Sequence, residues 1–225
     1  MTRMVSLLIV ICVVGIGERA GAVIHVGTMA GVNFSELDGR YSWGDPIDFS
    51  GRTVFGGGLI LDLGLTERIS IVFEPMYLQK SGKFSERLFF IGEVTARPTA
   101  SYLELPLLLK FSPVRGVFCP YLALGLTYGF LLESDFQVTL EDNSAVVFVK
   151  DATEDSDFGY TFGGGLDLRF EHFGIFLETR YTLGEHDVWK GGEVYSYTLD
   201  DADVTTEGLQ VLVGVTRRIG SRPGS

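Results

Sequence analysis

Apolar side chains return at every second position along stretch after stretch of this chain, from residue 24 to residue 215. Leu122, Leu124, Leu126, Tyr128 and Phe130 alternate with Ala123, Gly125, Thr127 and Gly129. Successive side chains of a β-strand point to opposite faces, so such a row makes one greasy face and one small or polar face. The alternation predicts eight strands, over 24–34, 53–63, 69–79, 101–111, 121–132, 158–170, 173–183 and 208–218. In the first, Val26, Thr28, Ala30 and Val32 share one face, and His25, Gly27, Met29, Gly31 and Asn33 share the other. Aromatic residues gather toward the strand ends, among them Phe34, Phe55, Tyr77, Phe111, Phe118, Tyr160, Phe170, Phe173 and Tyr181. That placement predicts interfacial girdles at the two surfaces of a membrane.

The connections alternate in length. Short turns at 64–68, 112–117 and 171–172 follow the second, fourth and sixth strands, whereas 35–52, 80–100, 133–157 and 184–207 are long. Short turns on one side and long loops on the other are expected of an eight-stranded antiparallel up-and-down transmembrane β-barrel, with both mature ends on the periplasmic side. A weak repeat supports the reading: Phe55-Gly56-Gly57-Gly58-Leu59 returns as Phe162-Gly163-Gly164-Gly165-Leu166. A phosphate-binding glycine loop needs a following helix, and none is predicted, so the repeat is read as shared barrel geometry.

The first 22 residues change the picture from barrel to barrel with an address. Arg3, an apolar run over 5–16 and Ala20-Gly21-Ala22 have the three parts of a signal peptide. No later segment holds the roughly 18 continuous apolar residues of a spanning helix, so a membrane-embedded mature chain has to be a closed barrel. The expected division is a signal peptide over 1–22, a barrel over 23–220 and a tail over 221–225. Removal of Cys12 with the leader leaves Cys119 alone, so no internal disulfide forms. The net charge of −11 argues against nucleic acid as a partner, because phosphate contacts need clustered Lys and Arg.

Three segments resemble a known family: Gly27-Thr28-Met29-Ala30-Gly31-Val32-Asn33-Phe34, Tyr102-Leu103-Glu104-Leu105-Pro106-Leu107-Leu108-Leu109-Lys110, and Pro120-Tyr121-Leu122-Ala123-Leu124-Gly125. They look like the outer-membrane β-barrel domain of the PorT-like family. The resemblance covers the whole mature chain and implies an eight-stranded barrel of the OmpA/OmpX type in the bacterial outer membrane. It carries no catalytic motif to transfer. The chain departs from the pattern at its end, where 217–225 lacks the terminal aromatic residue that many barrels present to the assembly machinery.

The inward face carries unexpected charge: Asp62, Glu74, Glu104, Lys110, Asp167, Arg169, Glu178 and Arg180. Side chains fill an eight-stranded barrel, and an unpaired buried charge costs several kcal/mol, so these groups are expected to pair. Folding each short hairpin symmetrically about its turn sets Glu74 opposite Gly58, Glu104 opposite Gly125, Glu178 opposite Gly165 and Arg180 opposite Gly163. The glycines then make room for long side chains. The expected outcome is a salt-bridge network that plugs the lumen; a narrow ion-conducting pore is the alternative.

Acidity concentrates in two long loops. Residues 133–157 and 184–207 hold fifteen acids against Lys150 and Lys190. They are expected to be solvated, and available to divalent cations or an extracellular partner. Composition also suggests that 145–149 and 195–199 extend hairpins beyond the membrane. His25, His172 and His186 show no metal-ligand spacing, and no metal or other cofactor is expected. His186 between Glu185 and Asp187 is the one candidate for a lipid-modifying enzyme. The reading is therefore a monomeric, non-enzymatic outer-membrane barrel, in contact with membrane lipid and lipopolysaccharide. A soluble lipocalin-like barrel, with its greasy row turned inward, is the remaining rival.

Overall fold

The computed structural model describes residues 23–40, 46–47, 49–88, 92–140, 143–148, 155–185, 193–194, 197–198 and 203–219. The expected leader over 1–22, the tail over 221–225 and His186 lie outside them. Eight long strands make the wall. They are β1 (Val23–Arg40), β2 (Phe49–Gly64), β3 (Ile69–Phe73, resuming as Met76–Leu88), β4 (Gly92–Phe111), β5 (Phe118–Leu140), β6 (Ser156–Arg169), β7 (Phe173–Gly184) and β8 (Asp203–Ile219). Each pairs antiparallel with its sequence neighbours, and β1 also pairs with β8, Val26 standing opposite Leu61 on one side and Arg217 on the other. The sheet closes on itself, so no backbone edge faces the bilayer.

The greasy row points outward. Phe55, Leu59, Leu107, Leu122, Leu124, Phe162, Leu177, Val213 and Val215 are all more than half exposed. A soluble lipocalin-like barrel would bury that row, so this rival is excluded by the direction of the side chains. Two aromatic belts flank it. Phe111, Phe118, Phe170 and Phe173 lie at the short-turn end; Phe34, Phe55, Tyr77, Tyr128, Phe130 and Tyr160 lie toward the long loops, all exposed. Along β5, Phe118 and Tyr128 are ten residues apart, about the length with which a tilted strand crosses a bilayer.

Several strands run further than the alternation predicts. β4 starts at Gly92, inside the predicted loop 80–100, and β5 continues to Leu140, where Asn143–Phe148 turns back to pair with it. Above the membrane both faces of a strand meet water. Thr95, Arg97 and Thr99 therefore leave no greasy row to recognise. The extension foreseen around 145–149 is present. Around 195–199 the described part is a two-residue pairing of Glu193–Val194 with Tyr197–Thr198.

The hairpin registers correct two of the four expected pairs. Glu178 stands opposite Gly165 and Arg180 opposite Gly163, as symmetric folding requires. Gly58, however, faces Met76 rather than Glu74, and Glu104 faces Gly129 rather than Gly125. In the β2–β3 hairpin the pairing centres on Glu67, one residue beyond the symmetric guess, with Gly64 opposite Ser70. In the β4–β5 hairpin Phe111 pairs with Leu122, so the first residues of β5, from Phe118, pair with β6 alone. Closing a barrel staggers each strand against the next, and this stagger moves the register where the turn is long enough to absorb it.

Candidate functional site

Alternation sends every second residue of eight strands into a narrow space that side chains largely fill, so the lumen is a packed interior of charged, polar and apolar groups. It is organised in three charged clusters. At the centre Arg180, 2% exposed, projects from β7. Its Nη1 pairs with Glu74 and lies 3.5 Å from Glu178 Oε1, its Nε donates to Gln210 Oε1 at 2.8 Å, and its Nη2 lies 2.9 Å from Met76 Sδ. Tyr121 Oη donates to the other oxygen of Glu178 at 2.8 Å. Two carboxylates thus share one guanidinium, whose planar fork reaches several acceptors at once.

Toward the long loops, Lys80 on β3 bridges Glu104 on β4 at 2.8 Å and Asp157 on β6 at 2.6 Å. The ammonium lies 5.1 Å above the Tyr102 ring. The hydroxyls of Thr127, Thr161 and Thr182 form a chain beside it, 2.7 and 3.0 Å apart. Toward the short turns, Lys110 pairs with Asp167 at 2.8 Å and Asp62 at 3.7 Å, and Arg169 reaches Asp167 at 2.8 Å and donates to Ser112 Oγ at 3.3 Å. This lower cluster borders a cavity of about 30 Å3, lined also by His25, Phe173 and Arg218. The volume suits one or two water molecules.

Between the lower and central clusters lies an apolar layer. Met29, Ile60, Val72, Leu108, Ala123, Phe176 and Leu212 are buried together there. On its own strand each of Ile60, Val72, Leu108 and Phe176 is one inward position from a charged or glycine position of a neighbouring cluster. Tyr121 crosses the layer: its hydroxyl serves Glu178, while the Lys110 ammonium sits 3.9 Å from its ring centroid. An ion in transit would have to shed its water against this layer, at the cost of moving a charge into apolar surroundings.

Glycines give the side chains their space. A Cβ at Gly163 would lie 2.6 Å from the Arg180 Cβ, and one at Gly165 would lie 2.7 Å from the Tyr121 ring. The repeated triplet in β2 does the same for Met76 and Leu78, whose atoms a Cβ at Gly58 or Gly56 would meet at 2.6 and 2.5 Å. In both copies the first and third glycines face the lumen, which explains the repeat.

The structure places the eight candidate residues in three clusters. Glu74, Glu178 and Arg180 form the centre. Asp62, Lys110, Asp167 and Arg169 form the lower cluster. Glu104 joins Lys80 and Asp157. The two last were missed because both fall in segments read as loops; strand parity carried past the membrane edge would have placed them inward. Asp157, counted among the acids of the outer loop, is in fact buried. Gln210, Tyr102 and Tyr121 were also missed, although each occupies an inward position of a strand that was correctly placed. Among the described residues, no three His, Cys, Asp or Glu side chains are grouped as metal ligands. Cys119 is buried, its Sγ 3.1 Å from the Gly116 carbonyl oxygen.

Comparison with known proteins adds the following. The model of the outer membrane protein beta-barrel domain matches residues 18–189. The match is to this broad domain and does not single out the PorT-like group. No curated protein matches the sequence. Among solved structures, the outer membrane protein OprG from Pseudomonas aeruginosa is 14% identical, with 90% of this chain and 97% of that chain covered and a TM-score of 0.51. Ail of Yersinia pestis is 13% identical, with 87% and 99% covered and a TM-score of 0.40. Neisserial surface protein A is 11% identical, with 87% and 97% covered and a TM-score of 0.42. At such identities the likeness to OprG speaks to fold alone.

Proposed function

The chain belongs to the outer membrane protein beta-barrel domain family and resides in the bacterial outer membrane; from that premise we propose that it is a non-conducting, non-enzymatic barrel with a structural or surface-binding role. The observation that carries the proposal is the filled lumen. Three ion-pair clusters and an apolar layer occupy successive levels, and the charged groups at the centre are spent on one another. A conducting pore needs a continuous wet path, and an enzyme needs a cleft where a substrate reaches free functional groups. The cavity at the short-turn end, about 30 Å3, has room for one or two water molecules.

The barrel then serves as a rigid mount for its outer strands and loops. The surplus of acids in 133–157 and 184–207 supports binding of divalent cations or of a basic partner on that side. The decisive measurement is single-channel recording of the purified protein in planar bilayers. Little or no steady conductance is expected; large, stable steps would replace the plugged barrel with a pore.

A further inference from the structure

The short-turn rim of the barrel has the chemistry of a lipid headgroup site. Among the described residues, its turns and strand ends hold Arg68, Arg115, Arg217 and Arg218 against Glu67 and Glu171. Arg115 is paired with Glu67. The remaining three arginines therefore face one glutamate. Arg217 is the informative one. It continues the outward row Val211, Val213, Val215 of β8 and is exposed, so its side chain lies on the lipid-facing surface. Its ladder neighbours are Phe173 on β7 and Val26 on β1. Phe173 stacks on Phe170 with ring centroids 4.7 Å apart.

A lipid-facing arginine is costly in the hydrocarbon and cheap only at the headgroup level, where its stem lies along apolar surface and its fork meets a phosphate. The adjoining turns have matching character. Leu65, Val114 and Val117 are exposed beside Arg68 and Arg115, an apolar-plus-cationic surface suited to the headgroup layer rather than to open water. We propose that this rim binds a phospholipid of net negative charge in the periplasmic leaflet, its phosphodiester on Arg217 beside Phe173, with Arg68 and Arg218 adding to the field, and its acyl chains along Val215, Val213 and Ile175.

The test is lipid competition. The detergent-purified full chain is offered equimolar phosphatidylglycerol and phosphatidylcholine, and the retained lipids are counted by native mass spectrometry. A preference for phosphatidylglycerol of roughly tenfold is expected, since each arginine near an anionic headgroup contributes about a fivefold factor that is only partly additive. Arg217→Gln reduces the preference about fivefold, R68Q/R217Q brings it near parity, and Arg217→Lys keeps most of it. Folding of each variant is read from its heat-modifiable migration. Equal retention of the two lipids by the native chain overturns the proposal without recourse to any variant, as does an undiminished preference in folded R68Q/R217Q. The bilayer conductance measurement is independent of both results.

Discussion

The central and lower clusters of the lumen use the same ingredients to different ends. Around Arg180 two glutamates, a glutamine and a tyrosine converge beside buried apolar residues, and none of them lines the cavity of the lower cluster. Around Lys110 two aspartates are served by two cations, since Arg169 also pairs with Asp167, and a small cavity opens beside them. The first cluster has one cation for two carboxylates. The second has a cation for each carboxylate and room for water. What separates them is the cost of losing a member: removing one partner of a dry ion pair strands a charge, whereas water and a second cation soften the same loss.

Three substitutions probe that contrast, beginning with the most severe. Arg180→Met leaves Glu74 and Glu178 without a cation and is expected to cost about 3–5 kcal/mol. Urea unfolding in lipid vesicles measures it, and adding Glu74→Gln and Glu178→Gln to the same chain should recover most of the loss. Native-like stability of the single variant would contradict the dry character assigned to the centre. Tyr121→Phe removes the hydroxyl that serves Glu178 while keeping the ring over which Lys110 sits, for an expected loss of about 1.5–3 kcal/mol. If the ring contact rather than the hydroxyl matters, Tyr121→Phe will unfold with the native protein and Tyr121→Leu well before it. Lys110→Met is expected to cost only about 1 kcal/mol, because Arg169 still pairs with Asp167 and the cavity lets water solvate Asp62. A loss as large as that of Arg180→Met would show that the two clusters are equally dry, and the comparison would fall.

Much of this architecture is readable from residues alone. A period of two, three short turns and four long connections lead to eight strands whose observed cores match those predicted, because one face of each strand meets lipid and the other does not. Legibility fails where that asymmetry ends. Above the membrane Thr95, Arg97 and Thr99 leave no greasy row, so alternation alone ends β4 short and assigns Lys80 and Asp157 to loops. It fails again where register depends on stagger: Gly129 rather than Gly125 opposes Glu104, and no local signal in the β4–β5 turn announces a shift of four residues. The two correct pairs, Glu178 with Gly165 and Arg180 with Gly163, sit on the tightest turn, where two residues leave no freedom for displacement.

The sequence by itself determined which side chains leave the wall outward and which enter it, and therefore the membrane address and the charged interior. Strand parity is local, set by the pleat, and survives any change of register by an even number of residues. Which charge meets which was decided only by closure of the barrel. Glu74 and Arg180 are separated by 106 residues, on strands that are not neighbours in the sheet, and they meet only across the lumen. The apolar layer between the clusters likewise exists only once Ile60, Val72, Leu108, Phe176 and Leu212, drawn from five strands, are brought to one level. Stagger and tilt set that level, and both are properties of the closed sheet rather than of any segment within it.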